Sequence, residues 1–249
     1  NVTFRTARGA VVSLRTKRLV SLHWRHLAAI SYEVTLESGM AELAIASELV
    51  THLPRPKGTD DPRVGVRMDE SALEPLDGYC DGTRVVLELR TRSSGIGLAC
   101  GMEHSIETGL RHSIESSVEG DEGRVVFFLD ADAGVPARIT KLLGYHHAEQ
   151  APAGDLVRRV NRTLDRAAGD GFERIAEIQR QRLDFFWEHS DIEIDGPGDI
   201  QQAVRFNLFQ IRQASARVEG HGIGAKGLTG RGYEGQYFWD TEVYVLPVL

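Results

Sequence analysis

No apolar run in this sequence approaches the ~18 residues of a membrane-spanning helix; the densest, Val125–Leu129, has five residues. An excess of positive charge is missing as well. The 29 Lys and Arg stand against 36 Asp and Glu, a formal net charge of −7, whereas a bulk nucleic-acid binder is usually basic. Cysteine is scarce: Cys80 and Cys100 are the two in the chain, too few for a disulfide framework. The simplest expectation is a reduced, intracellular and cytoplasmic pair, with a single disulfide as the alternative. There is no initiating Met and no visible targeting segment, and the last residues, Val243–Leu249, are an uncapped apolar run. We therefore expect a piece of a longer protein, about whose own leader the sequence says nothing.

What is present is ordinary for a globular chain: 249 residues, 41% apolar and 26% charged. That supplies a core and excludes disorder, which combines few apolar residues with strong charge imbalance. The length suits one large domain or two medium ones.

Up to about residue 150 the pattern is that of strands. Ile30, Tyr32, Val34 and Leu36 alternate with Ser31, Glu33 and Thr35, and Val85, Leu87 and Leu89 alternate with Arg84, Glu88 and Arg90. A period of two places such apolar sets on one sheet face. Further strands are expected at Val11–Thr16, Arg18–His23, Leu43–Val50, Ile96–His104, Arg124–Ala131 and Ala137–Tyr145. Turn chemistry separates them at Glu37-Ser38-Gly39, Asp81-Gly82 and Asp121-Glu122-Gly123, and a proline-rich loop is expected over 51–63. Many short strands so spaced predict an antiparallel β-sandwich over 1–150.

The period then changes. Beyond Ala151-Pro152-Ala153-Gly154, the residues Leu156, Val157, Val160, Leu164 and Ala167 recur at helical spacing, with Asp155 able to cap the start. Gly169-Asp170-Gly171 predicts a break, after which a second helix carries Phe172, Ile175, Ala176, Leu183, Phe186 and Trp187, with Asp170 and Glu173 as a capping pair. Residues 151–188, with seven Arg and seven acids, are expected to form a helical connector with a solvated face. A third helix should follow Gly196-Pro197-Gly198, capped by Asp199 and Gln202, with Ile200, Ala203, Val204, Leu208, Ile211 and Ala214 as its buried stripe. Strands first and helices afterwards argue for two domains of different class rather than an alternating βαβ fold.

The chemistry-bearing residues concentrate near the end. Seven glycines fall between Gly220 and Gly235, and five aromatics (Tyr233, Tyr237, Phe238, Trp239 and Tyr244) fall within twelve positions, against 18 aromatics in the whole chain. Glycine lets backbone approach a ligand closely, an indole packs on the C–H face of a pyranose, and a carboxylate accepts hydrogen bonds from hydroxyls. Trp239 with Asp240 therefore forms a candidate sugar-binding pair. The alternative is that the aromatics fill a core and the glycines serve turns. A P-loop is excluded because Lys226-Gly227 lacks the following Ser or Thr. The formal GxGxxG over 222–227 follows a helix rather than a strand, so it lacks the context of a dinucleotide site.

The stretch Gly224-Ala225-Lys226-Gly227-Leu228-Thr229-Gly230-Arg231-Gly232-Tyr233-Glu234-Gly235-Gln236-Tyr237-Phe238-Trp239-Asp240-Thr241-Glu242 resembles the first barrel loop of glycoside hydrolase family 65. Ser190-Asp191-Ile192-Glu193-Ile194 through Arg205-Phe206-Asn207-Leu208 is similar to that family's barrel entry, and Arg18-Leu19-Val20-Ser21-Leu22 through Ser31-Tyr32-Glu33-Val34 to its N-terminal sandwich. The family comprises inverting α-glucoside phosphorylases acting on trehalose, maltose or kojibiose, and related hydrolases. The resemblance implies a β-sandwich, a helical linker and, over 189–249, the start of an (α/α)6 barrel. It implies that Trp239 and Asp240 line the glucose subsite at the cleaved bond. Gln236 stands where many relatives carry His, which leaves the aglycone side open.

Inverting cleavage needs a carboxylic acid that protonates the leaving oxygen and a nucleophile on the opposite face. In a phosphorylase, inorganic phosphate is that nucleophile and a co-substrate, and no other cofactor is expected. The resemblance places the general acid on a later barrel loop, beyond Leu249, so no catalytic residue is assigned within the chain. Glu242 is expected at a helix start, Glu234, His221 and Lys226 in the loop itself, and His146-His147 at a sheet edge. His23 and His26 lack a partner pattern for zinc, and no metal site is expected. The expected partners are a sugar and phosphate, with no nucleic acid and no membrane, and a homodimer as the expected assembly. The competing reading is a non-catalytic carbohydrate-binding or oligomerisation module.

Overall fold

A computed structural model describes residues 1–7, 9–51, 73–215, 222–225, 227 and 236–248. The expected proline-rich loop at 51–63 lies, apart from Thr51, outside the described residues. Two compact units are distinguished: Asn1–Leu53 with Glu70–Gln179, and a second that includes Arg180–Leu249.

The first unit is an antiparallel sandwich. Its strands are β1 (Val2–Arg5), β2 (Val11–Val20), β3 (Leu27–Leu36), β4 (Met40–Val50), β5 (Leu73–Asp81), β6 (Arg84–Thr91), β7 (Gly97–Thr108), β8 (His112–Glu119), β9 (Glu122–Asp132) and β10 (Pro136–Ala148). A seven-stranded sheet runs β1-β2-β3-β10-β7-β6-β5, and a three-stranded sheet runs β4-β9-β8. The expected strands at Val11–Thr16 and Arg18–His23 are one continuous strand, β2, whose register with β3 runs unbroken from Val12↔Leu36 to Val20↔Ala28.

Between the sheets, Leu49, Val125 and Phe127 meet Val85, Leu87, Leu89, Met102 and Ile139. Further along, Leu129 and Ala131 meet Val12, Val34, Leu36 and Ala137. The other face of the large sheet is also covered. Leu27, Ala29, Val86, Ala99 and Leu142 hold Leu156, Val160, Leu164, Ala167, Phe172 and Ile175 of helix α1 (Asp155–Ser190). The spacing of those helix residues is the stripe read from the sequence. The helix lies close because glycines leave room beneath it. Gly101 and Gly144 are cross-strand partners, and a Cβ on Gly101 would fall 2.7 Å from Val160 Cγ1.

Helix α1 is interrupted where the sequence predicted. Gly171 has φ 72° and ψ 165°, a region open essentially to glycine alone. Turn glycines with positive φ stand at Gly39 and Gly82 as expected, but the third expected turn is displaced. Glu119 pairs with Glu122 across Gly120 (φ 60°) and Asp121, while Gly123 lies inside β9.

The second unit contains helix α2 (Gly198–Ala214), followed later by a π-helical turn at Thr241–Val245 and a 3₁₀ turn at Leu246–Val248. The expected Asp199–Gln202 capping pair does not form. Pro197 occupies the cap without a side-chain bond. Asp199 Oδ1 accepts from the neighbouring Ile200 N–H, and Gln201 bridges instead to Ile192 O and Ile194 N. Nor is the expected apolar stripe buried as a whole: Leu208 is the buried residue of α2, and Ile200 is exposed.

Candidate functional site

The candidate residues sit on a short segment of the second unit. After Gln236, Tyr237 and Phe238, the chain turns at Trp239 and Asp240. The Thr241 amide donates to Phe238 O and the Glu242 amide to Trp239 O, both at 3.1 Å. Asp240 has helical dihedrals, φ −55° and ψ −27°, and its carboxylate makes no capping bond. The Leu246 amide then reaches back five residues to Thr241 O, closing the π-turn. π-turns are rare, and they recur at functional positions.

Thr241 is the buried anchor of this turn, whereas Trp239 is 67% exposed and Asp240 is exposed as well. Backbone hydrogen bonds and one buried side chain thus hold a segment whose indole and carboxylate both face solvent. Glu242 lies in the first turn, as expected of a helix-start residue.

The described part of the glycine-rich loop shows why glycine is used there. Gly227 has φ +65° and its amide donates to Gly224 O at 2.9 Å, a tight turn. At Gly222 a Cβ would come within 3.3 Å of the Tyr237 ring, so the missing side chain lets the two arms approach. The Ala225 amide and Gln236 O are 3.4 Å apart across them. His221, Lys226, Tyr233 and Glu234, with Gly220, Gly230, Gly232 and Gly235, lie outside the described residues.

A separate groove of about 690 Å³ runs beside α2. It is lined by Trp187, Phe206 and Phe209 together with Asp199, Gln202 and Arg205, and it contains neither Trp239 nor Asp240. Its guanidinium is committed: Arg205 clamps the Asp191 carboxylate through two nitrogens, at 2.9 and 2.5 Å. That pairing holds the Asp191 carboxyl below its ordinary range. Phe206 stands outside the apolar stripe expected for α2, and nothing in the sequence marked it as lining a groove.

The remaining histidines of interest have structural partners. His146 stacks on His26, with ring centroids 3.9 Å apart, and its Nε2 meets Thr163 Oγ1 at 2.9 Å. Burial, with His26, Arg159, Arg162 and His147 adding, pushes its imidazole down to about 4. Among the described residues no group of three or more His, Cys, Asp or Glu is placed to hold a metal. Both cysteines are free thiols, Cys80 exposed and Cys100 buried. Among the described residues no helix is long and apolar enough to cross a membrane.

Residues 1–186 match the N-terminal domain of glycosyl hydrolase family 65, and residues 205–249 match that family's central catalytic domain. The chain belongs to glycosyl hydrolase family 65. An uncharacterized glycosyl hydrolase of Mycobacterium tuberculosis is 38% identical over 99% of the chain and 31% of its own length. The α,α-trehalose phosphorylase of Thermoanaerobacter brockii is 30% identical over 99% of the chain and 32% of its own length. In fold, the chain superposes with a TM-score of 0.85 on a human-microbiome protein provisionally described as a kojibiose phosphorylase. Identity there is 22%, over 99% of this chain and 31% of that one. The chain thus spans about a third of the length of these relatives.

Proposed function

We propose that this chain is part of an enzyme that cleaves α-linked glucose disaccharides with inversion, by phosphorolysis or hydrolysis. The observation that carries the proposal is the exposed Trp239–Asp240 pair, held on a hydrogen-bonded turn within the stretch matched to a central catalytic domain. Trp239 would pack against the apolar face of a glucosyl ring and Asp240 would accept its hydroxyl protons. A site built to pair a hydroxyl in this way rejects sugars that lack it. The matched relatives named trehalose, kojibiose and maltose phosphorylases favour phosphate as the acceptor.

In this reading α2 and the turns over 241–248 begin an (α/α)6 barrel. The exposed Phe206, Val243, Tyr244 and Leu246 are consistent with apolar surface that further helices cover. The carboxylic acid that protonates the leaving oxygen belongs to a part of the enzyme beyond Leu249. The chain's own contribution is the grip on the sugar, with inorganic phosphate as co-substrate and no other cofactor. We place the enzyme in the cytoplasm, consistent with free thiols at Cys80 and Cys100.

The test is made on the full-length enzyme. Glucose 1-phosphate and glucose release are measured from trehalose, kojibiose and maltose, with and without phosphate. Phosphate-dependent release of glucose 1-phosphate is expected. A charge-assisted bond is worth ~1.5–3 kcal/mol, so Asp240→Ala should lower kcat/KM by roughly tenfold or more. Wild-type turnover by both Asp240→Ala and Trp239→Ala would remove the pair from the site.

A further inference from the structure

A polar layer crosses the interior of the sandwich. His104 of β7 and Lys141 of β10 are register partners, and each reaches the opposite sheet at the same place. The His104 ring, 4% exposed, has Nδ1 2.9 Å from Thr83 O and Nε2 2.8 Å from Ser47 Oγ. A carbonyl can only accept, so Nδ1 carries the single proton of the neutral ring and the Ser47 hydroxyl donates to Nε2. Lys141 Nζ donates to Glu48 O at 2.7 Å. Ser47 and Glu48 are adjacent in β4, which among the described residues is the edge of its sheet and pairs with β9 alone. Two side chains from the large sheet therefore bolt this strand in place.

The charges around this layer are unequal. Glu103, next to His104 in β7, is taken by Arg84 Nε of β6 at 2.5 Å and by the Thr83 hydroxyl. The Glu48 carboxylate lies 3.5 Å from Arg124 of β9. Among the described residues Lys141 makes no ion pair. A second proton on His104 would therefore sit beside the ammonium of Lys141 and the edge-on ring of Phe127, 5.6 Å away, and the Glu103 carboxylate, already held by Arg84 and Thr83, offsets that charge only in part. The Ser47 hydroxyl can turn to accept, since Met102 Sδ lies 3.9 Å from it. Buried charge, not a lost hydrogen bond, is what the closed arrangement cannot hold.

We propose that His104 is an acid-sensitive clasp: when its ring takes a second proton, the Ser47 end of β4 detaches from the seven-stranded sheet and frays from β9, while the rest of the sandwich stays folded. Burial, with Lys141 adding to it, pushes the His104 imidazole down to about 4, against 6.5 for an ordinary one. Detachment wets the ring and restores the ordinary value. The linkage then raises the opening equilibrium by roughly 30-fold between about pH 7.5 and about pH 5.

Hydrogen exchange of the full chain, read by mass spectrometry at those two pH values and corrected for intrinsic rates, tests this. Amides of Leu43–Val50 should lose about 30-fold in protection at the lower pH, while those of Val11–Thr16 in β2, which touch neither His104 nor His146, keep theirs. His104→Gln has nothing to protonate, and its β4 protection should be the same at both. Lys141→Met removes the neighbouring cation and should shrink the loss. If neither variant folds, the wild-type contrast between β4 and β2 decides alone. The proposal is overturned by unchanged β4 protection, by equal loss in β4 and β2, or by His104→Gln opening in acid as the wild type does.

Discussion

At the scale of single residues, glycine carries the least visible information. Gly123 reads in sequence as the end of a turn, but it lies inside β9, where an added Cβ would fall 2.2 Å from Val85 Cγ1. Its role is to let β9 approach β6. Gly123→Ala overpacks that contact and should cost about 1–3 kcal/mol, the usual range for a methyl forced into a filled core. Urea unfolding measures it, and trimming Val85 to Ala in the same chain should return part of the loss, a coupling a double-mutant cycle detects. The same scale shows what was legible in the candidate site. Trp239 and Asp240 stood out by composition and by resemblance, because aromatic clustering beside acids is a local signal. Their exposure was not local. It follows from Thr241 turning inward and from the π-turn that Thr241 O closes.

Secondary-structure elements were legible in proportion to the contrast in their sequence. The cores of β3 and β6 alternate and were anticipated, as were β9, which carries the apolar run Val125–Leu129, and β10. β5 and β8 were not. β5 contains Pro75, Asp77, Gly78 and Asp81, turn chemistry that an edge strand with a register shift between Pro75 and Asp77 tolerates. β8 is rich in Ser and Glu, and its inward set, Ile114, Ser116 and Val118, is interrupted by a serine. Helix boundaries followed the same rule. Gly171 ends the regular part of the first helical segment as expected, and its role there is testable. A helical glycine replaced by alanine gains ~1 kcal/mol. Gly171, at φ 72° and ψ 165°, has no atom within 4 Å of an added Cβ, so any effect is purely that of the backbone. Gly171→Ala should therefore destabilise by roughly 1–3 kcal/mol rather than stabilise, and thermal unfolding gives the sign directly. A gain would mean that α1 runs straight in solution.

For the whole molecule, buried titratable groups set how stability depends on pH. Burial pushes His104, and in its more exposed setting His146, down to about 4. The unfolded chain then binds protons first, and stability falls as pH drops from about 6.5 towards 4. His104 alone supplies about 3 kcal/mol of that loss. Burial also lowers Lys141 to about 8, so the unfolded chain holds that proton longer and stability rises with pH from about 8 to about 10.5. Against it, burial pushes the Cys100 thiol up to about 12, so above about 9 the unfolded chain loses its proton first and stability falls. The opposing alkaline effects leave a maximum between about pH 9 and about pH 10, well above the isoelectric point of 5.7. Urea midpoints measured from about pH 4 to pH 11 should trace that asymmetric curve. Cys100→Ala should move the alkaline fall to higher pH while leaving the acid limb in place. A maximum near the isoelectric point, or an alkaline limb indifferent to Cys100, would mean that exposed charges govern stability rather than these buried groups.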